Sequence, residues 1–368
     1  MTPSTPLHRE KEPLIELIGI GSAKHRALKK HLLAAMASLD INYPIREVTT
    51  LEDLLKYKIG GIPALMIDGK VVFERQVPSI EELRLLFGAL IAYKEERKLP
   101  VRKLLVPTDF SAAAENAYVF AQTMGKTLQT DLEVIHVEQP TISLVDPLYQ
   151  KVEQQDTVRE AMLNTFVKKK GVQKADVVVE RNIVKGAVVD ELLQRAQQED
   201  IEMVIMGMTG ENDLLKRWIG SISAKVARNA AKPVVLIPPG VPFSGFRRIV
   251  YASDYHPDEK QVLPQVLRIA RYFGGDIHFL HVDETQSKGA EVKQFSRFPV
   301  NGYFFSYTRI GHEDIVTGIN DFATLQQADL IVLSTAPRTF LEDIFHRSVS
   351  QQLVFKSNIP LMITHLND

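Results

Sequence analysis

Along most of the chain, short apolar runs rich in Val, Ile and Leu alternate with longer stretches whose apolar residues recur every three or four positions, the rhythm of strand followed by helix. From Leu14 to about Leu90 this pattern predicts a strand (Leu14 to Ile20), a helix (Lys24 to Leu39), a strand (Pro44 to Val48), a helix (Leu51 to Tyr57), a strand pair and a last helix from Ser79. Asp68-Gly69 stands between the apolar runs of that pair and predicts a tight hairpin, whose two-residue turn needs left-handed backbone. Beyond Pro100 the rhythm occurs twice. Lys103-Leu-Leu-Val-Pro-Thr-Asp109 matches Arg248-Ile-Val-Tyr-Ala-Ser-Asp254, and Leu132-Glu-Val-Ile-His136-Val137 matches Ile277-His-Phe-Leu-His281-Val282, both at an offset of 145. Ile201 to Gly207 matches Leu330 to Ser334, and Lys232 to Ile237 matches Asn358 to Thr364, at a smaller offset, so the second copy has lost residues between its second and fourth strands. Helix-length segments such as Ala112 to Leu128 and Val188 to Glu199 separate the strands, which implies parallel strands joined by right-handed crossovers. Two α/β domains in tandem follow, joined near Pro238 to Gly245.

One junction carries chemistry. Gly207-Met-Thr-Gly210, followed nine residues later by Gly220-Ser221, links the strand-like Ile201 to Met206 to the helix-like Ser221 to Ala231, which Lys232-Pro233 closes. Glycines lack the Cβ that would hold an anion off the backbone, and the free N–H groups of a helix start carry partial positive charge, so the segment reads as a phosphate-holding loop. The same residue types also serve as turns and caps, and Asp109, just past a strand, has two roles open to it: capping a helix that begins near Ser111, or lining a pocket. Lys216 and Arg217 read as solvated loop cations outside the site, and Trp218 as packing for the loop.

Composition narrows the classes. A chain of 368 residues, 45% hydrophobic, has material for several cores. A net charge of −1 with interspersed signs offers no basic stripe for nucleic acid. The absence of cysteine excludes disulfides, thiolate metal sites and thiol redox chemistry. No run approaches the roughly 20 apolar residues of a membrane span, and Met1 to Pro13 is polar and proline-rich, so the expectation is a disordered start and a cytoplasmic location without membrane contact.

The glycine pattern at Gly207, Gly210, Gly220 and Ser221, together with Val106-Pro-Thr-Asp109 and His136-Val137, resembles the ATP-binding branch of the universal stress proteins. The resemblance covers residues 101–240 well and 246–368 more loosely, and its Rossmann-like, adenine nucleotide α-hydrolase-like fold matches the parallel-sheet reading. It implies an adenine near Pro107, Thr108, Asp109 and Val137, a ribose near Met206 and Gly207, and phosphates on Gly210, Gly220, Ser221 and Ile222, with Mg2+ as an optional companion. It also implies domains that pair through their last strands, here Val234 to Ile237 and Leu361 to Thr364, as an intramolecular pseudo-dimer, a homodimer of the whole chain being a further option. The order of elements over residues 14–92, with Ile62-Pro63 before the third strand, resembles the thioredoxin-like fold with Pro63 at the cis-proline position. Ser22-Ala-Lys-His25 stands where the redox cysteines should be, so thiol–disulfide exchange is excluded. Ser22 and His25 have no evident orienting acid, and the module reads as a docking surface for an unknown protein partner, followed by a charged helical linker over residues 93–100.

The second copy departs from the pattern: its loop reads Ser334-Thr-Ala-Pro337, then Arg347-Ser348. Proline removes an N–H and arginine obstructs the backbone, so this copy is expected to be structural, although Arg338 and Arg347 leave a different anion site open. His278 and His281, three apart on a strand, face opposite sides and so share no metal, while His136 and His281 read as structural. No catalytic residue and no metal site are assigned. The phosphate-loop lysine motif is missing, so any ATP turnover is expected to be slow. The functional expectation is an ATP-binding regulatory or sensor protein, with a slow ATP hydrolase and a non-nucleotide scaffold as alternatives.

Overall fold

In the computed structural model the chain is described at residues 13–95, 102–139, 150–169, 177–208, 221–253, 262–284, 293–294, 298–300, 303–335 and 358–365. It divides into two units, Met1–Glu95 with Gln294–Tyr307, and Glu96–Lys293 with Thr308–Asp368. The first is built on β1 (Ile15–Ile18), α1 (Ala23–Ser38), β2 (Ile45–Val48), α2 (Leu51–Leu54), β3 (Ala64–Ile67), β4 (Lys70–Glu74) and α3 (Ile80–Glu95). Its sheet runs β2-β1-β3-β4, with β1 parallel to β2 and antiparallel to β3. Asp68 and Gly69, at φ 48 and 75, make the left-handed turn between β3 and β4, and the Asp68 carboxylate accepts from Leu14 N at 2.9 Å. The Ile62–Pro63 peptide is cis. In α1, Ser22 caps the first turn by accepting from His25 N, and His25, Leu28, Leu32, Ala35 and Met36 form the buried stripe. α2 ends earlier than the apolar pattern predicts, and just beyond it the Tyr57 hydroxyl donates to the buried Glu16 on β1 at 2.7 Å. α3 runs on through Tyr93 to Glu95, the first residues of the expected linker.

The second unit holds the tandem copies. The first consists of β5 (Lys103–Pro107), α4 (Ala112–Leu128), β6 (Leu132–Glu138), α5 (Gln150–Lys169), β7 (Val179–Lys185), α6 (Val188–Ala196), β8 (Ile201–Gly207), α7 (Ser221–Asn229) and β9 (Val234–Ile237). The second has β10 (Arg248–Ala252), α8 (Leu263–Phe273), β11 (Asp276–Glu284), β12 (Lys293–Gln294), β13 (Phe298–Val300), β14 (Tyr303–His312), α9 (Ile315–Leu325), β15 (Leu330–Thr335) and β16 (Leu361–His365), of which β13 and the parts of β12 and β14 within Gln294–Tyr307 are assigned to the first unit. The first copy's strands lie in the order β9-β8-β5-β6-β7, all parallel, and the second repeats it as β16-β15-β10-β11-β14. Where the first copy has α5 between β6 and β7, the described residues between β11 and β14 hold only the short strands β12 and β13.

The last strands meet as the resemblance implies. β16 pairs antiparallel with β9, Met362 opposite Val235, so one sheet runs through both copies. A single apolar core follows it from Leu105, Val204 and Val234 to Val250, Leu361 and Ile363. Two further contacts bind the copies. Phe243 and Phe246 of the connecting segment pack edge-on among Phe120 of α4 and Phe273 of α8. Arg268 of α8 reaches Glu202 of β8 at 2.8 Å, and Asn116 of α4 holds the start of the connecting segment by donating to Pro238 O at 2.9 Å.

Candidate functional site

Strand order reverses about β5, whose neighbours are β6 on one side and β8 on the other, and a crevice opens at the carboxyl ends of the strands at such a switch point. Here a cavity of about 210 Å³ is lined from β5 and its loop by Pro107, Thr108, Asp109 and Ser111, from β6 by Ile135, His136 and Val137, and from β8 by Met206 and Gly207. Helix starts close it with Ala113 and Ala114 of α4, Val188 and Leu192 of α6, and Ile222 and Ser223 of α7. Seven of the ten expected site residues therefore line one cavity: Pro107, Thr108, Asp109, Val137, Met206, Gly207 and Ile222. Ser221 is the first residue of α7, while Gly210 and Gly220, like Lys216, Arg217 and Trp218, lie outside the described residues.

The loop after β5 is built from side chains that hold their own backbone. Thr108 N donates to Ile135 O at 2.8 Å, which extends the β5–β6 ladder by one residue. Thr108 Oγ1 then accepts from Phe110 N at 3.0 Å, and Asp109 Oδ1 accepts from Ser111 N at 3.0 Å. Between them Phe110 adopts φ 65, a left-handed conformation that costs a side-chain-bearing residue about 1–2 kcal/mol. Ser111, not Asp109, caps α4, accepting from Ala114 N at 3.2 Å; Asp109 makes the preceding turn and also lines the cavity. Gly207 is required by space rather than by conformation. A Cβ there would stand 2.1 Å from the Ala113 carbonyl oxygen, so only glycine lets β8 close against the first turn of α4. Ser111, Ala113, Ala114, Ile135, His136, Val188, Leu192 and Ser223 were not among the expected lining residues. His136 had carried a sequence signal, its place beside Val137 in both copies, read as structural. That reading holds for one nitrogen, Nδ1, which lies 2.8 Å from Thr108 O; the residue also lines the cavity.

The second copy keeps the frame and puts a side chain where the first has none. His281 Nδ1 sits 2.8 Å from Ser253 O, the same contact at the same offset. Ser334, standing where the first copy has Gly207, accepts from the buried Tyr251 hydroxyl at 3.0 Å. His278, on the other face of β11, lies 2.8 Å from Thr308 Oγ1, and burial pushes its imidazole down to about 4. Asp254, Pro337, Arg338 and Arg347 lie outside the described residues.

Behind the cavity, at the opposite end of the sheet, charges are tightly paired. Arg195 of α6 forks onto the buried Glu133 (2.9 and 3.0 Å from Nε) and onto Asp200 (2.7 Å), and Lys103 bridges Asp200 and Glu180. The Arg195 hydrogen bonds hold Asp200 down at about 2. In the N-terminal unit, an acid does stand beside His25: Glu47 Oε2 lies 3.9 Å from Nε2. The arrangement is nonetheless a cap. Ser22 Oγ accepts from the His25 backbone N at 3.2 Å, and His25 Nδ1 accepts from Gly21 N at 3.1 Å. Among the described residues no three His, Asp or Glu side chains gather in a way that could hold a metal ion, and no helix is long and apolar enough to cross a membrane.

Comparison with known proteins agrees with both folds. A family model described as the universal stress protein family matches residues 100–238 and 301–365, and one described as a thioredoxin domain matches residues 14–88. Universal stress protein MJ0577 of Methanocaldococcus jannaschii is 26% identical over 152 residues, 37% of this chain and 94% of its own. Universal stress protein YxiE of Bacillus subtilis is 25% identical over 149 residues, 37% of this chain and 97% of its own. Among solved structures, a universal stress protein from Archaeoglobus fulgidus covers 73% of this chain and 97% of its own with a TM-score of 0.54 at 19% identity, a likeness of fold.

Proposed function

The chain belongs to the universal stress protein family, and from that premise we propose that its first stress-type domain, residues 101–240, binds an adenine nucleotide, ATP with or without Mg2+, as a regulatory or sensor module. The observation that carries this reading is the cavity at the switch point, where backbone-rich strand ends meet the start of α7. At about 210 Å³ it is smaller than the ~300–1000 Å³ of sites that enclose a whole ligand, so it takes the base and sugar and leaves the phosphates at its mouth. Apolar Ile135, Val137, Val188, Leu192 and Met206 supply faces for a base, while Pro107, Thr108 and Asp109 offer polar edges. Gly207 lets the backbone close in, and the N–H groups of Ser221 and Ile222 at the start of α7, with Gly210 and Gly220, receive the phosphates. The second stress-type domain, residues 246–368, is structural and completes the sheet through β16. The thioredoxin-like domain, residues 14–92, docks a protein partner in the cytoplasm.

Mass spectrometry of small molecules released on denaturing the freshly purified full chain, with calorimetric titration of added ATP, tests this. Close to one adenine nucleotide bound per chain, abolished by Gly220→Val, supports it. No nucleotide released and none bound on titration defeats it.

A further inference from the structure

Thr108 and Asp109 line the cavity, and the residue that follows them is anchored away from it, on the other face of the sheet. Phe110 holds its left-handed φ of 65 between two turns, Thr108 Oγ1 accepting from Phe110 N and Asp109 Oδ1 from Ser111 N, each at 3.0 Å. A residue with a Cβ populates such backbone about 5- to 30-fold less than its ordinary regions, so the turn that presents Thr108 and Asp109 depends on what holds the Phe110 side chain. Alternation along β6 sets the His136 ring opposite Ile135 and Val137, on the face where α4 and α5 lie. There Phe110 packs on His136 with ring centroids 4.5 Å apart and meets Phe166 of α5 edge-on at 5.9 Å. Phe166 lies 5.3 Å from Tyr118 of α4, whose hydroxyl donates to Val167 O at 3.3 Å, and Arg159 ties α5 to Glu138 at the end of β6. None of the described residues of α5 lines the cavity, yet the helix reaches the cavity's loop through Phe110. The second copy, whose described residues hold no helix at this place, meets the corresponding imidazole with Asp283 Oδ1 at 3.3 Å instead.

We infer that Phe166 is a positioning residue for the nucleotide site: by wedging Phe110 against His136 it holds the Thr108–Asp109 turn in the form that takes the ligand, so that the seating of α5 sets ligand affinity. The inference rests on the nucleotide-binding reading above. Coupling of this kind is reciprocal, and whatever factor the seated helix adds to ligand affinity, the ligand adds to the seating of the helix. The factor belongs at the lower end of the left-handed penalty, about fivefold, because the Thr108 hydrogen bond and the His136 stack remain when the Phe166 ring is removed.

Calorimetric titration of ATP into the full-length parent, Phe166→Ala, Phe110→Gly and the double variant, at a temperature where melting shows each folded, tests it. Phe166→Ala should weaken ATP about fivefold. Glycine takes a left-handed φ without penalty, so in the Phe110→Gly background the same alanine should change ATP affinity by less than about twofold. Lost packing alone would cost the same in both backgrounds. An effect of Phe166→Ala below about twofold in the parent background, or an equal effect in both, overturns the inference. Amide exchange of the parent needs no variant: saturating ATP should slow exchange over Thr157 to Lys168 about fivefold, and an unchanged rate there overturns the inference as well. These results leave the nucleotide-binding reading standing, whereas failure of the parent to bind ATP removes reading and inference together.

Discussion

Replacing Gly207 by alanine isolates the steric demand at the heart of the cavity. The added Cβ would lie 2.1 Å from Ala113 O, 2.5 Å from Ala113 C and 3.1 Å from its Cα, so every obstructing atom is backbone and no side chain can swing aside. Relief needs the first turn of α4 to move by more than about 1 Å from β8 to restore ordinary contact. That turn is fixed by the Ser111 cap and by the buried Ala114, Ala117 and Tyr118. Overpacking of this kind costs about 1–3 kcal/mol, and an immovable neighbour puts Gly207→Ala at the upper end, near 3 kcal/mol. At about 2–4 °C per kcal/mol for domains of this size, the melting temperature falls by roughly 6–12 °C. Because Gly207 and Ala113 both line the cavity, ATP affinity falls at least tenfold alongside. Gly240→Ala is the control: its φ of 73 strains any side chain, but a Cβ there meets nothing within 4 Å, so it costs about 1 kcal/mol and leaves ATP affinity unchanged. Calorimetric melting and ATP titration of both variants read the two effects. A Gly207→Ala protein that melts within 2 °C of the parent and binds ATP equally well refutes the reasoning.

Glu133→Ala strips the buried carboxylate from Arg195, which keeps Asp200, and should cost about 3 kcal/mol in urea unfolding, with Glu133→Gln costing less than half as much; a loss below about 1 kcal/mol for the alanine would mean the pair is not structural. His278 titrates near 4 when folded against 6.5 in the unfolded chain, so between those values the unfolded state binds the extra proton; stability should be full above pH 6.5, decline by at most about 3 kcal/mol towards pH 4, and lose that component of its slope in His278→Gln.

The parts of this molecule that were legible in sequence share one property: their determinants are local. Asp68-Gly69 announces its turn because both residues tolerate positive φ, and Ser111 marks a helix start because a short hydroxyl reaches its own backbone. The switch-point residues from Pro107 to Asp109 and from Met206 to Gly207 were legible through the repeat and the glycine spacing. Elsewhere the determinants are remote or lack a pattern. α5 is polar along most of its length and β7 is half-exposed, so neither shows a strong apolar period, although Leu163 and Val167 are buried. The place of His136 in the cavity depends on a carbonyl 28 residues away and on a left-handed Phe110, for which a phenylalanine gives no warning. Glu47 beside His25 is likewise a product of β2 lying next to β1.

The β9–β16 junction also frees the two halves from a constraint on symmetric assemblies. Where two identical chains meet through the same edge, every substitution appears on both sides of the axis, so neither half can abandon a feature the other needs. Here the edges belong to one polypeptide, and Met362 faces Val235 rather than a copy of itself. Change can therefore accumulate on one side alone. Ser334 stands where its counterpart has Gly207, the described residues between β11 and β14 hold short strands where the first copy has α5, and Asp283 faces the His281 imidazole while its counterpart Glu138 pairs with Arg159. A single sheet thus carries two unlike halves, the first lining a cavity at its switch point and the second joined to it edge to edge.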